Sequence, residues 1–417
     1  MRIVISTAIY YPQINGVAVF SHNLAVGLAN RGHDVMVICP SQTGKSYEET
    51  IGKVRVVYLR SVEAKVYPDQ IHPVPERKKV AGLRMPRLLY KHGFRVSVFP
   101  MREVKQVLDG FRPDVVHVQV SDPIGLSVVS WARKAEVPVV TTEHNQPEVI
   151  TDPLKMPRLF KKPANALLAA YFRNRQSKSD FVTMPTEKAI RDLLGNGEEF
   201  AVPVAAVSNG VDLTAFRPGK ARAEIYDKYA VPRSDPVVLY VGRVDPEKKV
   251  GLVLEAVSRA RSLIPKKQGW KDGLNVLIVG DGVDKARLEK AYGDKPWVHF
   301  AGRVVGDDLM ELYKVGWVFA TASPIETQGI VLIEAAASGL PLIAVNAGAV
   351  SEVCVDGVNG RLCAVGDVGE MVEAMVALLS DDGVRKQYGK ASIEIAHEHD
   401  FERTLDKFIN IYKKVMK

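Results

Sequence analysis

The stretch WVFATASPIETQGIVLIEAAASG, residues 317–339, carries the signals that decide the fold. Residues 317–322 are apolar, β-branched or aromatic, and WVFATAS predicts a strand. A polar turn follows, and the alanine-rich remainder predicts a helix that ends at Gly339. Similar strand-like runs alternate with helical patterns along the chain: RIVIST, DVMVICP, VRVVYLR, DVVHVQV, VPVVTTE, FVTMP, VVLYVGR, NVLIVGDG, VHFAG and PLIAVNAG. This alternation predicts repeated βαβ units.

Strands that are apolar on both faces predict parallel sheets covered by helices on both sides. A chain of 417 residues, 47% of them apolar, has the material for two such cores. Residues 203–236 are rich in Pro, Gly and turn residues, which places a domain boundary near 209–212. We therefore predict an α/β protein of the doubly wound type, with Rossmann-like domains at 1–209 and 210–390 facing a cleft. A helical segment at 391–417 either caps the second domain or, as we expect, crosses back to the first.

The composition narrows the class of protein further. The opening MRIVISTAIYYP is a short apolar run without a preceding basic region, so it predicts a first buried strand and no signal peptide. The sequence contains no run of about 18 apolar residues, which a membrane-spanning helix needs. The three cysteines, Cys39, Cys354 and Cys363, lack metal-ligand and CxxC spacing, as expected for a protein of the reducing cytoplasm.

The net charge of +8 is concentrated in the first half of the chain. Residues 1–200 hold 28 Lys and Arg against 19 Asp and Glu, whereas residues 201–417 hold 28 against 29. Segments 77–102 and 155–178 hold eight and seven basic residues, no acidic residue, and interleaved Leu, Met, Tyr and Phe. This pattern is typical of contact with an anionic membrane surface; a nucleic acid or a merely solvated positive face are the alternatives.

Parallel sheets bind ligands at the carboxyl ends of their strands, so function is expected in the loops that follow them. Gly16 precedes the first helix, where a glycine lets the backbone approach a phosphate or sugar, or serves the turn alone. His144 lies with Glu143 and Asn145 beyond the VPVVTTE strand, where it can donate a hydrogen bond to a sugar hydroxyl, tune an acceptor, or be structural. His117 lies inside its strand and is predicted to be a satisfied core histidine.

Two loops of the second half have the chemistry of an anion site. Arg243 and Lys248 follow the VVLYVGR strand, and a guanidinium fork with an ammonium suits a diphosphate. In the opening stretch, the backbone N–H groups of Thr327, Gln328 and Gly329 are expected to form a helix N-terminus suited to phosphate or sugar oxygens.

Two carboxylates stand eight residues apart in the same stretch. Glu326 is at the mouth of the turn, whereas Glu334 is about two turns into an apolar helix. A lone buried carboxylate is unfavourable by several kcal/mol unless it finds donors, so Glu334 is predicted to be exposed, paired or used.

Taken together, these loops resemble those of the retaining GT-B glycosyltransferases of group 1 (family 4), which use nucleotide sugars. The motifs that carry the resemblance run the full length: NGV at 15–17, GHDV at 32–35, SNGVD at 208–212, GRVDPEKK at 242–249, VGDG at 279–282, AGRV at 301–304, and the E-x7-E pair. The chain departs from the family pattern at Lys249, where a glycine is usual, and at Trp317, where an aspartate is frequent.

The resemblance implies a role for each candidate residue. Four residues would be catalytic: Glu326, His144, Arg243 and Lys248. Glu326 and His144 would contact the donor sugar, and Arg243 and Lys248 would hold the diphosphate. Glu334 would bind the ribose hydroxyls. The other donor-binding residues would be Gly16 at the donor phosphate and acceptor, Arg303 and Val304 at the nucleobase, and Thr327, Gln328, Gly329 and Ile330 at the helix N-terminus. No metal or other cofactor is expected, since no DxD motif is found and HEHD at 397–400 is expected only to end a surface helix.

Two sequence motifs narrow the class of acceptor. The motif ETQG at 326–329 and the spacing of His144, Pro147 and Glu148 are similar to the subgroup that glycosylates diacylglycerol. The resemblance thus implies transfer of a hexose, with UDP-glucose as the expected donor, to a membrane lipid by an enzyme peripheral on the cytoplasmic face of the cell membrane.

Other functions remain open from the sequence. The same fold serves phosphoinositide mannosyltransferases and polysaccharide or lipopolysaccharide transferases, which differ in acceptor. A GT-B epimerase or phosphorylase would consume nucleotide sugar without a membrane acceptor. A nucleic-acid-binding protein is the remaining alternative, and we expect none, because recognised binding motifs are lacking and the basic clusters are local.

Overall fold

The computed structural model places two compact units, Met1–Ser208 with Thr404–Lys417, and Asn209–Arg403. The residues that it describes are 1–11, 13, 16–63, 95–119, 122–144, 158–194, 200–264, 267 and 269–417, with the backbone alone for 158–161. The basic segment 77–102 therefore lies outside the described residues up to residue 94, and so do 155–157 and the predicted motif residues Asn145, Pro147 and Glu148.

The described part of the first unit contains a sheet of eight strands in the order β10-β9-β8-β7-β1-β2-β4-β3. All neighbours pair in parallel except β3 and β4, and a separate antiparallel pair joins β5 to β6. The strands are β1 Arg2–Ser6, β2 Asp34–Pro40, β3 Tyr47–Ile51, β4 Val54–Leu59, β5 Val62–Glu63, β6 Arg95–Val96, β7 Val115–Val118, β8 Val139–Thr142, β9 Phe181–Met184 and β10 Val204–Ala206.

Helices connect these parallel strands, as the alternating pattern predicts. They are α1 Gly16–Asn30, α2 Met101–Phe111, α3 Pro123–Lys134, α4 Arg158–Gln176 and α5 Glu187–Leu194. Helix α3 begins where the Asp122 side chain accepts a hydrogen bond from the Gly125 backbone, which satisfies one of the N–H groups left free at a helix start. The central strands β1, β7 and β8 are almost wholly buried, and this explains their apolar character on both faces.

The second unit contains a six-stranded, all-parallel sheet in the order β13-β12-β11-β14-β15-β16. Its strands are β11 Val237–Val241, β12 Asn275–Val279, β13 Val298–Gly302, β14 Val318–Ala320, β15 Leu342–Val345 and β16 Gly360–Cys363. Counted from β11, this is the 3-2-1-4-5-6 order of the doubly wound nucleotide-binding fold, whose topological switch point lies between β11 and β14.

Helices cover both faces of this second sheet, and two buried apolar clusters lie on its two sides. The helices are α6 Ala223–Lys228, α7 Val250–Ala260, α8 Lys285–Tyr292, α9 Asp307–Val315, α10 Ile330–Ala337, α11 Val368–Ser380 and α12 Asp382–His397. Trp317, at the position that departs from the family pattern, packs edge-on against Trp270, with the Arg385 guanidinium 4.3 Å from its ring centre. The stretch that opens the sequence is thus strand β14, a turn, and helix α10, as predicted.

The end of the chain differs from the prediction. Segment 391–417 was expected to be one element, but it contains the end of α12 and a separate helix, α13, at Phe401–Val415. The second unit extends to Arg403, beyond the expected limit at 390, because α12 packs on α10 of that unit. Only Thr404–Lys417 groups with the first unit, where Phe408 and Tyr412 are fully buried.

Candidate active site

The switch point of the second unit brings two predicted loops together. Strands β11 and β14 are parallel neighbours, with Val238 opposite Val318, so the chain leaves both strands at the same edge of the sheet. The loop after β11 carries Arg243 and Lys248, and the loop after β14 carries Glu326. The strand order therefore explains why these residues, far apart in sequence, lie close together.

Lys248 and Glu326 form an ion pair at this edge. The Lys248 Nζ lies 2.6 Å from Glu326 Oε1, and it also reaches Ser323 Oγ and the Ile325 carbonyl at 3.4 Å. The two side chains are only 17% and 16% exposed. Because three oxygens on one turn surround the ammonium, its position is set by the strand-end loop and not by a flexible surface contact.

Arg243 is held differently from Lys248. Its guanidinium pairs with Asp245 and, at 2.8 Å, with Glu247, and its side chain is 43% exposed. The convergence of Arg243 and Lys248 on one diphosphate therefore stays a prediction. Lys249, where the family usually has a glycine, adopts a left-handed backbone with φ of 53°, which accounts for the family's glycine at this position.

Glu334 is paired within its own unit. Its Oε2 accepts a hydrogen bond of 2.6 Å from the hydroxyl of Tyr313, a fully buried residue of α9. Burial raises the pKa of Glu334 to about 7, and the tyrosine hydrogen bond opposes that rise without cancelling it. The sequence alone did not identify a partner for Glu334. No sequence pattern around Tyr313 indicates that its hydroxyl donates a hydrogen bond to this carboxylate.

The turn before α10 is held in place by its own side chain. Gln328 is buried, and its Oε1 accepts a hydrogen bond of 3.0 Å from the backbone of Asn209 in the SNGVD motif. Gly329 has φ of 75° and caps the helix that begins at Ile330. Thr327, before them, is half-buried. The N-terminus of α10 therefore lies at the same edge as Lys248 and Glu326, as the sequence predicts.

The third predicted loop follows β13, on the other side of β12 from the switch point. Gly302 ends this strand with φ of 65°, and Arg303 and Val304, both half-buried, come next. Val304 packs against one of the two apolar clusters of the unit. Contact of these two backbones with a nucleobase stays a prediction.

Gly348 lies close enough to the Glu326 backbone to support it. A Cβ at position 348 would stand 2.6 Å from the Glu326 carbonyl oxygen, and the next residue, Ala349, donates a hydrogen bond of 3.0 Å to that oxygen. Gly348 also has φ of 54°, which a side chain disfavours. The loop that carries Glu326 thus depends on a glycine in a different loop.

We expect Gly348→Ala to unfold more easily than the parent by roughly 2–3 kcal/mol and to lose about tenfold in turnover, because the added methyl group must displace the Glu326 backbone. Urea unfolding and a transfer assay measure the two effects. Gly357→Ala is the matched control: its φ is 74°, but a Cβ there would meet no atom within 4 Å. Equal stability and equal turnover in the two variants would contradict this role for Gly348.

In the first unit, the corresponding switch point lies between β1 and β7. Gly16 begins α1 after the β1 loop, as predicted. His144 follows β8, its Nε2 lies 2.8 Å from Gln119 Oε1, and its ring packs edge-on against Phe20 of α1. Burial lowers the pKa of His144 to about 4, so the ring is neutral at pH 7.

His117 is a satisfied core histidine, as predicted. It is fully buried, and its two ring nitrogens lie 2.7 Å from the hydroxyls of Tyr412 and Thr142. Its neighbour Gln119, which touches both His117 and His144, was missed because a polar residue at a strand end carries no distinguishing local signal.

Among the described residues, no group of three or more His, Cys, Asp or Glu side chains is placed to hold a metal ion. In the same residues, no helix has the length and apolar character needed to cross a membrane. The three cysteines are buried and free.

Two Rossmann-like units with these strand orders are the architecture of the GT-B glycosyltransferases, and the chain is an enzyme of that class. It belongs to the group 1 glycosyltransferases: the model "Glycosyl transferases group 1" matches residues 221–395, and the model "Glycosyltransferase Family 4" matches residues 14–215. The two matches together include both candidate sites.

Several characterised relatives share this family at modest identity. The sulfoquinovosyl transferase SQD2 of Arabidopsis thaliana is 27% identical over 85% of this chain and 68% of its own length. The alpha-monoglucosyldiacylglycerol synthase of Acholeplasma laidlawii is 28% identical over 86% and 84%. A GDP-mannose-dependent alpha-mannosyltransferase of Mycobacterium tuberculosis is 28% identical over 100% and 97%.

Solved structures share the fold at lower identity. Sucrose-phosphate synthase of Thermosynechococcus elongatus superposes with a TM-score of 0.72 at 18% identity, covering 99% of this chain and 98% of its own. Anabaena HepE, solved in complex with UDP and glucose, has a TM-score of 0.69 at 15% identity, covering 99% and 100%.

Proposed function

We propose that this glycosyltransferase moves a hexose from UDP-glucose to a membrane lipid such as diacylglycerol, with retention of the anomeric configuration. The observation that carries the proposal is the Lys248–Glu326 pair, set with the N-terminus of α10 at the switch point of a nucleotide-binding sheet. Diacylglycerol appears in the name of the relative from Acholeplasma, and a lipid acceptor suits the basic, apolar segments of the first half.

The arrangement suits the chemistry of transfer from a nucleotide sugar. In the reaction, the bond between the sugar C1 and the diphosphate oxygen breaks, C1 bonds to the acceptor hydroxyl oxygen, and the proton of that hydroxyl passes to the departing diphosphate. The diphosphate leaves as an anion, so the Lys248 ammonium and the backbone N–H groups of residues 327–329 would stabilise charge where it develops. Glu326 would accept hydrogen bonds from the sugar hydroxyls and so orient the ring.

The direct test is transfer of radiolabelled glucose from UDP-glucose to liposomes that contain diacylglycerol. Labelled glycolipid in the organic phase is the expected product. A parallel reaction with GDP-mannose and phosphatidylinositol tests the phosphoinositide mannosyltransferase alternative; GDP-mannose is the donor in the name of the mycobacterial relative, which matches over nearly its full length. Consumption of UDP-glucose without any acceptor would instead indicate an epimerase, a phosphorylase or a hydrolase. If no labelled lipid forms in either reaction, the proposed acceptor class is wrong.

Membrane contact is part of this proposal, and α4 supports it. Leu167 and Tyr171 are one turn apart on this helix and are 73% and 46% exposed, which is unusual for large apolar side chains. Arg175, one further turn along, donates a hydrogen bond of 2.6 Å to the Tyr171 hydroxyl, and Lys162 is exposed on the same helix. Apolar side chains beside cations suit an anionic lipid surface.

We expect Leu167→Ser to weaken binding to vesicles of phosphatidylglycerol and phosphatidylcholine by about fivefold to tenfold, because a leucine that enters the interface loses contact with water. Co-sedimentation of the protein with the vesicles measures the effect. Leu263→Ser is the matched control, since Leu263 is 59% exposed in the second unit, outside the basic segments. Equal weakening by both variants, or by neither, would argue against α4 as the contact.

A further inference from the structure

A line of buried polar side chains joins the last helix of the chain to His144. The Tyr412 hydroxyl of α13 lies 2.7 Å from His117 Nδ1, and the Gln119 side-chain nitrogen lies 3.1 and 3.3 Å from the two His117 ring nitrogens. The Gln119 oxygen then lies 2.8 Å from His144 Nε2. All of these residues are buried, so each hydrogen bond is made in surroundings where an unpaired polar group is unfavourable.

Apolar contacts from α13 support the same group of residues. The Phe408 ring lies 5.1 Å from the His117 ring and 5.9 Å from Phe20, and Phe20 in turn lies 5.3 Å from the His144 ring. The last helix therefore contacts both the polar line and the aromatic ring that packs on His144. Close packing at fixed distances restricts the rotamers of the two histidines.

The orientation of the Gln119 amide follows from its place against His117. The Gln119 nitrogen is nearly equidistant from the two His117 ring nitrogens, at 3.1 and 3.3 Å. In the plane of the ring, such a position would overlap Cε1, so the amide nitrogen lies over the ring face. Burial lowers the pKa of His117 to about 3, and the ring is therefore neutral. A neutral ring face attracts an N–H and repels a carbonyl oxygen, which directs the Gln119 nitrogen to His117 and the oxygen to His144.

This orientation determines where His144 carries its proton. A carbonyl oxygen can only accept, so His144 Nε2 must donate, and in a neutral imidazole the other nitrogen, Nδ1, then holds the lone pair. Within the described part of the chain, Nδ1 has no hydrogen-bond partner. We propose that Gln119, held by His117 and by Tyr412 of the last helix, is a positioning residue that fixes His144 as the Nε2-protonated tautomer, so that Nδ1 accepts a hydrogen bond from a sugar hydroxyl.

That the hydroxyl belongs to a sugar rests on the proposed function. The tautomer of His144 does not depend on it. Donation to a sugar hydroxyl was one of three roles that the sequence left open for His144. The geometry reverses that role, because the only proton of the neutral ring is already engaged by Gln119. An acceptor at Nδ1 selects a sugar hydroxyl that can turn its proton toward the histidine.

The tautomer is measured by nitrogen NMR of the whole protein labelled with ¹⁵N-histidine, with the His144 signals assigned by their loss in His144→Gln. We expect the pattern of a protonated Nε2 and an unprotonated Nδ1 at pH 7, and a loss of that preference in Gln119→Leu. A protonated Nδ1 in the parent, or an unchanged pattern in Gln119→Leu, would overturn the proposal. Neither measurement needs a substrate, so failure to find sugar transfer leaves this result intact.

A matched pair of variants separates positioning from general stability. Thr142→Val removes a hydroxyl that bonds His117, whereas Thr141→Val removes one that bonds Ser179, away from the line of residues. We expect Gln119→Leu to lower kcat/KM about tenfold, Thr142→Val to lower it about threefold and to alter the His144 pattern, and Thr141→Val to change neither. If the nitrogen NMR pattern of His144 is the same in Thr142→Val as in Thr141→Val, His117 has no part in fixing the tautomer.

Discussion

Glu326→Gln is expected to lower kcat by about 100-fold to 1,000-fold, while the affinity for UDP changes by less than about threefold. The substitution keeps the shape of the side chain and leaves an oxygen for Lys248, but it removes the charge that pairs with the ammonium and that, in the proposed function, orients the sugar hydroxyls. Because those contacts matter most when the diphosphate departs, turnover is lost before binding. Single-turnover transfer and calorimetric titration with UDP measure the two quantities.

A companion variant tests whether Lys248 and Glu326 act as a unit. Lys248→Met removes the cation and leaves Glu326 without its 2.6 Å partner. If the pair acts together, the double variant Lys248→Met/Glu326→Gln loses about as much kcat as the worse single variant and not the product of both losses. Glu255→Gln serves as the charge-matched control, because Glu255 is half-buried on α7 and also forms an ion pair, with Arg259. A Glu326→Gln enzyme with parental kcat would make the pair merely structural.

Nucleotide-sugar affinity is expected to depend on pH through Glu334. The pKa of its carboxyl is raised to about 7. If, as the family resemblance implies, the ribose hydroxyls donate to the ionised carboxylate, then below pH 7 the protein must release a proton in order to bind. The dissociation constant for UDP-glucose should therefore fall as pH rises, by close to tenfold per unit between about pH 5 and 7, and level off above about pH 7. UDP-glucose is the suitable probe, because its diphosphate diester does not titrate in this range.

Glu334→Gln should abolish this pH dependence, and it gives a second measurement without ligand. The pKa of this carboxyl is higher in the folded state than in the unfolded chain. The free energy of unfolding therefore falls as pH rises from about 4.5 to 7 and stays lowered by a constant amount above that range. Glu334→Gln should therefore be more stable than the parent at pH 8, by up to about 3 kcal/mol, and no more stable at pH 4. Affinity that is flat between pH 5 and 8 in the parent would show that Glu334 does not meet the nucleotide.

Much of the fold could be predicted because its signals are local. All of the strand-like runs picked out in the sequence form strands, and all of these except β4 and β13 are buried along almost their whole length, as central parallel strands are. Strand β3, YEETI, was not predicted because it lies at the edge of its sheet, where exposed Glu48 and Thr50 alternate with half-buried residues. The short strand β10, at the other edge, is only half-buried and gives an equally weak signal.

The candidate site could be predicted only in part, for a related reason. The sequence places Lys248 and Glu326 after separate strands, and knowledge that such loops share a sheet edge brings them near one another. Their direct contact joins residues 78 positions apart, and that of Tyr313 with Glu334 depends on how α9 packs against α10. Side-chain pairings of this kind depend on tertiary packing, so no local sequence pattern predicts them. Gln119 was missed on the same ground.

The path of the chain through the first unit has a consequence for the order of folding during synthesis. The second unit is a continuous stretch that ends at Arg403, so all of its strands have been made by the time that residue leaves the ribosome. The first unit begins earlier but receives Phe408 and Tyr412 last, and both are fully buried in it. Until Phe408 and Tyr412 emerge, His117 lacks one of its hydrogen-bond partners and Phe20 lacks one of its aromatic neighbours. The half that is translated first is therefore the half that matures last.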